Sequence, residues 1–362
     1  MKKIKIVHVL AYYGDYHGGI QINVRELARR QLASGYSVKI ITSDLYGNQK
    51  NIDGVPVVRV KALFSAFRVP FTPLLPFVLI KEKCDILHIH LPLPWLDLCA
   101  ILKKLIDRKT KLVVTIHNYI PVNSLFSELL GWIHNNFLIR AVLNIADVVT
   151  TSTDEFAESL PYSLPKHKLM IVPYGVDIHK FKFSSTYDKK QVLFVGRLIP
   201  EKGLHVLMKA MKYVRRKNRN IKLLAICGEN YDFRNYEKKI RAMDDGFLEI
   251  KKNIPNASIG SYYGNSACFV MPSLDIDSFG IVLLESMACG CPVVVSDLPG
   301  PRAIALKGHG GIAPKGNYKL LGEAIHSALK LPTIIRKKVR LYVENSFSWD
   351  YVYRQTEKAY SI

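Results

Sequence analysis

The fold of this chain is indicated most clearly by residues 272–294, PSLDIDSFGIVLLESMACGCPVV. The stretch predicts the end of a strand, a loop, a helix, a tight Gly-Cys-Pro turn and a second strand. Asp277 lies just before the predicted helix N-terminus, where backbone N–H groups are unpaired and the helix dipole is positive. Glu285 follows eight residues later, about two helical turns on, so we expect both carboxylates to face one cleft.

A basic segment precedes this stretch by about 80 residues in the sequence. Residues 196–203, GRLIPEKG, follow an apolar strand pattern and open a predicted helix. Arg197 and Lys202 lie five residues apart near that helix N-terminus, an arrangement that suits the binding of a diphosphate. A solvated turn is the structural alternative, and the two downstream carboxylates argue against it.

Two features mark strand ends in the first half of the chain. Gly18 and Gly19, within residues 14–20, GDYHGGI, allow backbone N–H groups to approach a phosphate at a helix N-terminus. The spacing matches neither G-x-G-x-x-G nor a P-loop, which excludes both of those nucleotide sites. His117 ends the predicted strand 111–116, and strand carboxyl ends face the ligand in doubly wound sheets. A plain turn and a core histidine are the alternatives.

Together these segments resemble the retaining glycosyltransferases of family 4, which have the GT-B architecture. The resemblance implies that a basic pair neutralises the leaving nucleoside diphosphate, that one carboxylate touches the sugar and that a second binds the ribose. The catalytic residues that it implies are His117, Arg197, Lys202 and Asp277. The donor-binding residues that it implies are Gly18, Gly19, Gly228, Phe279, Gly280, Ile281, Val282 and Glu285.

Three positions depart from the family's pattern. Asp277 stands where the family has a glutamate, and Tyr174 replaces an asparagine in the segment 173–177, PYGVD. Asn230 replaces the second glycine of the turn that contacts the base. The contacts to the base and the choice of donor are therefore left open.

Short apolar runs alternate with amphipathic stretches throughout, which predicts parallel sheets covered by helices on both faces. The fold class is α/β of the GT-B type, with two doubly wound, Rossmann-like domains facing a cleft. We expect an acceptor-binding domain over residues 1–178, a nucleotide-sugar-binding domain over 179–345 and a C-terminal helix over 346–362 that returns to the first domain. The strands are expected at 4–10, 37–42, 55–61, 85–90, 112–116, 148–151, 191–195, 222–227, 247–250, 268–271 and 293–296.

The net charge of +21, from 51 basic and 30 acidic residues, is spread over both halves of the chain. It favours anionic partners such as nucleotide phosphates or an anionic membrane surface. Nucleic acid is the rival partner, but the basic residues are scattered and form no known nucleic-acid module, so we expect none. The six cysteines show no C-x-x-C spacing and are interpreted as reduced thiols, which indicates a cytoplasmic protein.

An apolar segment interrupted by prolines, residues 62–77, indicates contact with a membrane surface. Phe64, Phe67 and Phe71 lie beside Arg68, and the segment is too short to span a bilayer. An ordinary core-packed loop and helix start is the alternative. Residues 125–144 are a second candidate for lipid contact.

The expected activity is transfer of a hexose-type sugar from a UDP- or GDP-sugar to a glycan or lipid-linked acceptor, with retention, in cell-surface polysaccharide or glycolipid synthesis. We expect no cofactor and no metal. Asp275 and Asp277 formally make a D-x-D pair, but the basic residues replace a metal in the family. His88 and His90 share a strand face and lack a carboxylate to complete a zinc site. A nucleotide-sugar epimerase is the alternative enzyme, and an inactive homologue of the family is a further alternative.

Overall fold

The structure is a computed structural model that describes residues 3–14, 18–66, 69–119, 131–228, 234–275 and 277–361. The chain divides into two compact units. Unit 1 comprises Met1–Pro173 with Tyr353–Ile362, and unit 2 comprises Tyr174–Val352. The sequence analysis places these boundaries after residues 178 and 345 instead. Residues 174–178 lie in unit 2 because Tyr174 and Val176 are buried in its core.

Unit 1 is built on an eight-stranded sheet with the order β10-β9-β8-β7-β1-β2-β4-β3. Neighbouring strands are parallel except for the β3–β4 pair at one edge. A separate antiparallel hairpin is formed by β5 and β6. The strands are β1 Lys5–Val9, β2 Ser37–Ser43, β3 Asn51–Ile52, β4 Val55–Val60, β5 Phe64–Ala66, β6 Val69–Phe71, β7 Ile86–Leu91, β8 Lys111–Ile116, β9 Val148–Thr151 and β10 Leu169–Ile171.

Unit 2 is built on a six-stranded parallel sheet with the order β13-β12-β11-β14-β15-β16. This is the winding order of a doubly wound nucleotide-binding sheet. The strands are β11 Asp188–Arg197, β12 Lys222–Gly228, β13 Leu248–Lys252, β14 Ser266–Met271, β15 Val293–Ser296 and β16 Gly311–Ala313.

Helices connect the strands in both units, as parallel pairing requires. In unit 1 they are α1 Gly19–Ala33, α2 Leu75–Lys81, α3 Pro94–Ile106, α4 Ile139–Ile145 and α5 Asp154–Glu158, with a π-helical turn at His134–Leu138 and a 3₁₀ turn at Lys166–Lys168. In unit 2 they are α6 Leu204–Lys217, α7 Arg234–Ala242, α8 Ile259–Gly264, α9 Ile281–Ala288, α10 Pro299–Lys307, α11 Tyr318–Ala328 and α12 Ile334–Phe347, with a 3₁₀ turn at Pro200–Lys202. The last helix, α13 Trp349–Ser361, begins in unit 2 and ends in unit 1.

Every strand of four or more residues overlaps a strand predicted from an apolar run, although β4 and β13 also contain polar residues. The central strands β7 and β14 are buried along their whole length, which is typical of a parallel sheet covered on both faces. The sequence analysis missed β3, β5, β6, β10 and β16. Each has only two or three residues, and so short a run carries no periodicity that could be recognised.

The segment 62–77, which was expected to contact a membrane surface or else to form a core-packed loop and helix start, contains the β5–β6 hairpin followed by α2. The ring of Phe71 stacks on Phe64 with centroids 5.2 Å apart and lies 4.9 Å from Trp95. Phe71 is therefore half-buried rather than presented to the surface. Phe67 and Arg68 lie outside the described residues. Within the described part of the chain, no helix is long and apolar enough to cross a membrane.

Candidate active site

The sheet of unit 2 changes its winding direction between β11 and β14. Successive strands are added on one side of β11 and then, from β14 onward, on the other. Doubly wound sheets bind ligands at such a point, outside the carboxyl ends of the strands. Arg197 ends β11, and Pro272 directly follows β14. Both segments that the sequence singled out therefore begin at this switch point.

The two segments are packed together through their backbones. Gly203 has a φ of +71°, and a Cβ atom there would lie 1.9 Å from the carbonyl oxygen of Pro272. The N–H of Leu274 donates a hydrogen bond of 2.7 Å to the carbonyl oxygen of Glu201. Glycine is required because only it combines a left-handed backbone with so close an approach. The basic segment is thereby fixed against the carboxylate loop.

Lys202 and Asp277 form an ion pair at this junction. The Lys202 Nζ lies 2.6 Å from Asp277 Oδ2, and the side chains are 28 % and 16 % exposed. The Ser273 hydroxyl donates a longer bond of 3.4 Å to the same carboxylate oxygen. The sequence analysis assigns the lysine to a diphosphate and the aspartate to a sugar, and the structure brings the two groups into direct contact. An anion that binds Lys202 would therefore either share the lysine with the Asp277 carboxylate or displace that carboxylate from it.

Arg197 lies on the exposed carboxyl edge of the sheet, next to Gly228. The two residues are register partners at the ends of β11 and β12. Among the described residues, no atom lies within 4 Å of a Cβ atom built on Gly228. Residues 229 and 230, which complete the predicted base-binding turn, lie outside the described residues.

The N-terminus of α9 adds backbone donors to the same region. Gly280 precedes this helix with a φ of +88°, and its first turn has no side-chain cap. The N–H groups of Ile281 and Val282 belong to the set that an α-helix leaves without internal partners. Phe279 is buried and anchors the turn, because its ring lies 5.0 Å from Tyr174 and 5.8 Å from Phe347.

Glu285 is held on the second turn of α9 by a tyrosine that sequence reasoning missed. The Tyr263 hydroxyl donates a hydrogen bond of 3.1 Å to Glu285 Oε2. Burial raises the pKa of the Glu285 carboxyl to about 7, although this hydrogen bond and the charge of Lys180 act in the opposite direction. Tyr263 lies on α8, and no motif marks it. Glu285 is therefore a carboxyl that can change its charge near neutral pH.

We expect nucleoside diphosphate affinity to rise with pH because of Glu285. A carboxylate accepts charge-assisted hydrogen bonds from ribose hydroxyls, and the protonated form does not. With a pKa of about 7, the group is mostly protonated at pH 6 and mostly ionised at pH 8. Linkage then predicts about tenfold tighter binding at pH 8. Calorimetric titration of UDP and GDP at the two pH values measures this change.

Glu285→Gln is the matched control for that titration, since it keeps the shape of the side chain and removes the ionisation. The phosphate of the nucleotide titrates equally with both proteins, so the difference between them isolates Glu285. An identical pH dependence in both would contradict a role for this carboxyl in nucleotide binding.

A second residue missed by the sequence analysis is Gly300, at the start of α10. A Cβ atom there would lie 2.2 Å from the carbonyl oxygen of Ser278. The loop that leads into α9 therefore rests directly on the α10 backbone. The Pro-Gly-Pro sequence at 299–301 is the only signal that could have indicated this contact.

In unit 1, the predicted residues lie at the carboxyl edge of its own sheet. Gly18 precedes α1, and Gly19 is its first residue. His117 follows β8 and is buried, and this burial lowers its pKa to about 3. Its Nε2 lies 2.9 Å from His90 Nδ1. Residues 15–17 of the glycine loop lie outside the described residues.

One group in the described part of the chain has the geometry of metal ligands. His8, His88 and His90 are buried, and their ligand atoms lie within 4.8 Å of one another. The sequence analysis considered His88 and His90 and missed His8, which is the register partner of His88 on β1. The group lies in unit 1, whereas the site assembled around Lys202 lies in unit 2.

Two family models match the chain. The family described as Glycosyltransferase Family 4 matches residues 17–180, and the family described as Glycosyl transferases group 1 matches residues 176–346. A phosphatidyl-myo-inositol mannosyltransferase from Mycobacterium leprae is 24 % identical over 99 % of this chain and 96 % of its own length. The capsular polysaccharide biosynthesis glycosyltransferase CapM from Staphylococcus aureus is 27 % identical over 62 % of this chain and 65 % of its own length.

The fold is shared with solved glycosyltransferase structures. Sucrose-phosphate synthase from Thermosynechococcus elongatus has a TM-score of 0.78 at 20 % identity, and the alignment covers 99 % of this chain and 98 % of that one. HepE from Anabaena, in complex with UDP and glucose, has a TM-score of 0.77 at 16 % identity, with 99 % of each chain covered. These comparisons confirm the predicted α/β fold of the GT-B type.

Proposed function

Because the chain belongs to the group 1 and family 4 glycosyltransferases, we propose that it transfers a hexose-type sugar, with retention, from a UDP- or GDP-sugar to a glycan or lipid-linked acceptor. The product would be part of a cell-surface polysaccharide or a glycolipid. Similar proteins support this class, since they include phosphatidyl-myo-inositol and O-antigen chain mannosyltransferases. UDP as a nucleotide is supported by its presence in the similar HepE structure.

The observation that carries the proposal is the cluster at the switch point of unit 2. Arg197 ends β11 at this point, and Lys202 contacts Asp277 in the loop before α9. The first N–H groups of α9 belong to the set that a helix leaves without internal partners. Negative charge grows on the diphosphate as the bond to the sugar breaks, and preorganised cations and dipoles stabilise that charge. This arrangement supplies the stabilisation that a metal ion gives in other transferases, so we propose that catalysis is independent of metal and of any cofactor.

The remaining residues are assigned to the two ends of the donor. Glu285 accepts hydrogen bonds from the ribose, and Gly228 leaves space for the base. Asp277 and His117 act on the sugar, where positive charge develops as the diphosphate departs. When a diphosphate binds Lys202, it weakens the ion pair between Lys202 and Asp277. The Asp277 carboxylate then becomes available to contact the sugar.

A screen of nucleotides for protection against thermal unfolding tests the proposal. UDP, GDP, ADP and their sugars are added to the wild-type protein and to Glu285→Gln. A ligand present at about 100 times its dissociation constant adds about 2.7 kcal/mol to the free energy of unfolding. We expect protection by one nucleotide series, reduced in Glu285→Gln. Equal protection of both proteins, or protection by none of the nucleotides, would contradict the assigned site.

We also propose that the protein acts at the cytoplasmic face of a membrane, and helix α3 supports this. Asp97 and Lys103 on this helix are buried, whereas four of its apolar residues are exposed. Lys103 donates hydrogen bonds to the Glu82 carbonyl at 2.8 Å and to the Asp107 carboxylate at 2.9 Å. Its buried face also holds Leu96, Cys99 and Ala100, but an ordinary amphipathic helix exposes mainly polar residues. The apolar residues, 36–63 % exposed, are Leu98, Leu102, Leu105 and Ile106.

Neighbouring elements extend this apolar surface. Helix α3 contacts α2, the π-helical turn and α4. Phe77 on α2 and Phe137 in the turn are exposed, as is Trp132 just before the turn. The part of the predicted second segment, 125–144, that the structure describes therefore carries exposed aromatic rings. An apolar patch of this kind on a basic protein suits insertion into an anionic lipid interface.

We expect the variant Leu105→Ser/Ile106→Ser/Trp132→Ser to bind anionic vesicles at least about tenfold more weakly than the wild type. Each apolar side chain withdrawn from lipid costs about 1.5–3 kcal/mol, and about 1.4 kcal/mol is a factor of ten. Co-sedimentation with phosphatidylglycerol vesicles measures the binding, which should also weaken as salt is raised.

The control for this experiment is Leu306→Ser/Leu341→Ser, which removes two equally exposed leucines from unit 2. It should bind vesicles as the wild type does. Equal binding by all three proteins would contradict the membrane surface on α3.

A further inference from the structure

We propose that Tyr263 is a positioning residue for nucleotide binding. Its hydroxyl holds the Glu285 carboxylate from the interior of unit 2 and favours the ionised form that a ribose requires. The proposal rests on the proposed function, which assigns Glu285 to the ribose. The action of Tyr263 on Glu285 can nevertheless be measured without any ligand.

The phenol approaches Glu285 from the buried side. Tyr263 on α8 is 0 % exposed, whereas Glu285 on α9 is only partly buried. The two helices pack against each other, and the Tyr263 hydroxyl donates a hydrogen bond of 3.1 Å to Glu285 Oε2. The hydroxyl therefore binds the carboxylate on its protein side and leaves its exposed part for a ligand.

The ring of Tyr263 is itself fixed by the core of unit 2. The ring of Phe269 lies 5.6 Å away and the ring of Phe181 lies 6.2 Å away, and both pairs are edge-to-face. Aromatic pairs in this geometry are more favourable than their buried area alone accounts for. A phenol packed in this way presents its hydroxyl at one point, so the core determines where the Glu285 carboxylate is held.

The backbone of α8 is also held at both ends. Arg336 donates a hydrogen bond of 2.8 Å to the carbonyl oxygen of Gly264, which directly follows Tyr263. The thiol of Cys289, the residue after α9, donates at 3.4 Å to the carbonyl oxygen of Gly260. A helix of six residues is not stable alone, so these contacts fix α8 against α9.

The hydroxyl acts on the charge of Glu285 as well as on its position. Burial raises the pKa of the Glu285 carboxyl to about 7, and the bond from Tyr263 is the first of two influences that lower it. A hydrogen bond to a carboxylate is stronger than one to a neutral carboxyl. Burial also raises the pKa of the Tyr263 phenol well above its ordinary value, so the phenol remains a neutral donor around pH 7.

The other titratable and charged groups around the carboxylate do not bond to it. Lys180 is exposed and is the second influence, acting through its charge. Burial raises the pKa of the Cys289 thiol to about 12, so this group is uncharged. Arg340 on α12 donates instead to the last carbonyl oxygen of α9. Among the described residues, Tyr263 is the one side chain that is hydrogen-bonded to the Glu285 carboxylate.

Removal of the hydroxyl should weaken nucleotide binding in two separable ways. Tyr263→Phe keeps the buried ring but removes the donor, so the Glu285 carboxyl becomes harder to ionise. Near neutral pH, fewer molecules then carry the carboxylate that accepts hydrogen bonds from the ribose. At pH 9 the carboxyl is ionised in both proteins, so a loss of affinity that remains there reports the position of the carboxylate.

The charge is measured in the ligand-free protein by ¹³C NMR of the glutamate side-chain carboxyl carbons, with the Glu285 signal assigned from Glu285→Gln. The wild-type midpoint should lie near pH 7. In Tyr263→Phe we expect it about one pH unit higher, as for the loss of one hydrogen bond to a charged group. Tyr213→Phe is the matched control, since its hydroxyl donates at 3.2 Å to the Glu323 carboxylate on the surface of the same unit. It should leave the Glu285 midpoint unchanged.

The position is measured by calorimetric titration with UDP and GDP at pH 9. We expect Tyr263→Phe to bind the preferred nucleotide at least about threefold more weakly than the wild type, an effect typical of residues in one hydrogen-bond network. Tyr213→Phe should bind as the wild type does. Because Tyr263 acts through Glu285, the variant Tyr263→Phe/Glu285→Gln should bind no more weakly than Glu285→Gln alone.

Three results would each overturn the proposal. They are an unchanged Glu285 midpoint in Tyr263→Phe, wild-type affinity of this variant at pH 9, and a further loss of affinity in the double variant. A raised midpoint in a protein that binds no nucleotide would instead contradict the proposed function alone.

Discussion

Lys202→Ala and Arg197→Ala are each expected to lower turnover by about 100-fold or more. Each substitution removes a cation from the switch point of unit 2, where charge develops on the leaving diphosphate. Loss of one preorganised donor to a developing charge typically costs about 100- to 1000-fold. The release of nucleoside diphosphate at saturating donor measures the effect as kcat.

The control for this prediction is Lys319→Ala, which removes an exposed lysine from α11 in the same unit. It should retain the wild-type kcat. Thermal unfolding curves should show that Arg197→Ala is as stable as the wild type, because this side chain is exposed. Wild-type turnover in both Lys202→Ala and Arg197→Ala would contradict the role of the basic pair.

Arg336→Met is expected to lower the free energy of unfolding of unit 2 by about 3 kcal/mol or more. Arg336 is buried on α12, and its guanidinium donates to the carbonyl oxygens of Ser184, Gly264 and Ser266 at 2.8–3.1 Å. The methionine is of similar size but removes the guanidinium donors from these three carbonyl oxygens, and a buried acceptor left without a donor costs about 1–3 kcal/mol. The ring of Tyr187, 4.2 Å from the guanidinium, also loses its cation.

Urea unfolding, followed by tryptophan fluorescence, measures this loss, and the melting temperature should fall by roughly 6–12 °C. Arg302→Met is the matched control. Arg302 pairs with Asp297 at 3.1 Å, but both side chains are more than 40 % exposed. Its removal should change the stability by less than about 0.5 kcal/mol. Equal stability of the two variants would show that the buried arginine does not hold α12 in place.

The longer strands of both sheets could be predicted because strands of parallel sheets are rich in apolar residues, whereas the short edge strands β3, β10 and β16 were missed. The ends of β11 and β14 were correctly placed beside the basic segment and the carboxylate loop. The direct packing of these two segments through Gly203 was not predicted. The sequence around Gly203 does not reveal that a Cβ atom there would lie 1.9 Å from the carbonyl oxygen of Pro272. The ion pair between Lys202 and Asp277 depends on the same contact.

Other features escaped prediction because they depend on which face of an element is covered. The sequence of α3 gives no sign that Asp97 and Lys103 are buried while Leu98, Leu102 and Leu105 are exposed. Arg336 occupies a core position three residues before Val339, where an apolar residue would be expected. His8 reaches His90 because β1 pairs with β7, and it also contacts Gln31 of α1; the sequence indicates neither contact.

The measurement that tests the central claim most directly is product analysis of nucleotide-sugar turnover. The protein is incubated with UDP- and GDP-hexoses, membrane lipid acceptors and EDTA. The products are then separated and identified by mass spectrometry. If the protein is the proposed transferase, one nucleoside diphosphate is released for each hexose added to an acceptor. The anomeric configuration of the donor is retained, and the reaction does not depend on added metal. A nucleotide-sugar returned as its epimer without release of the diphosphate, or no consumption of any donor, would contradict it.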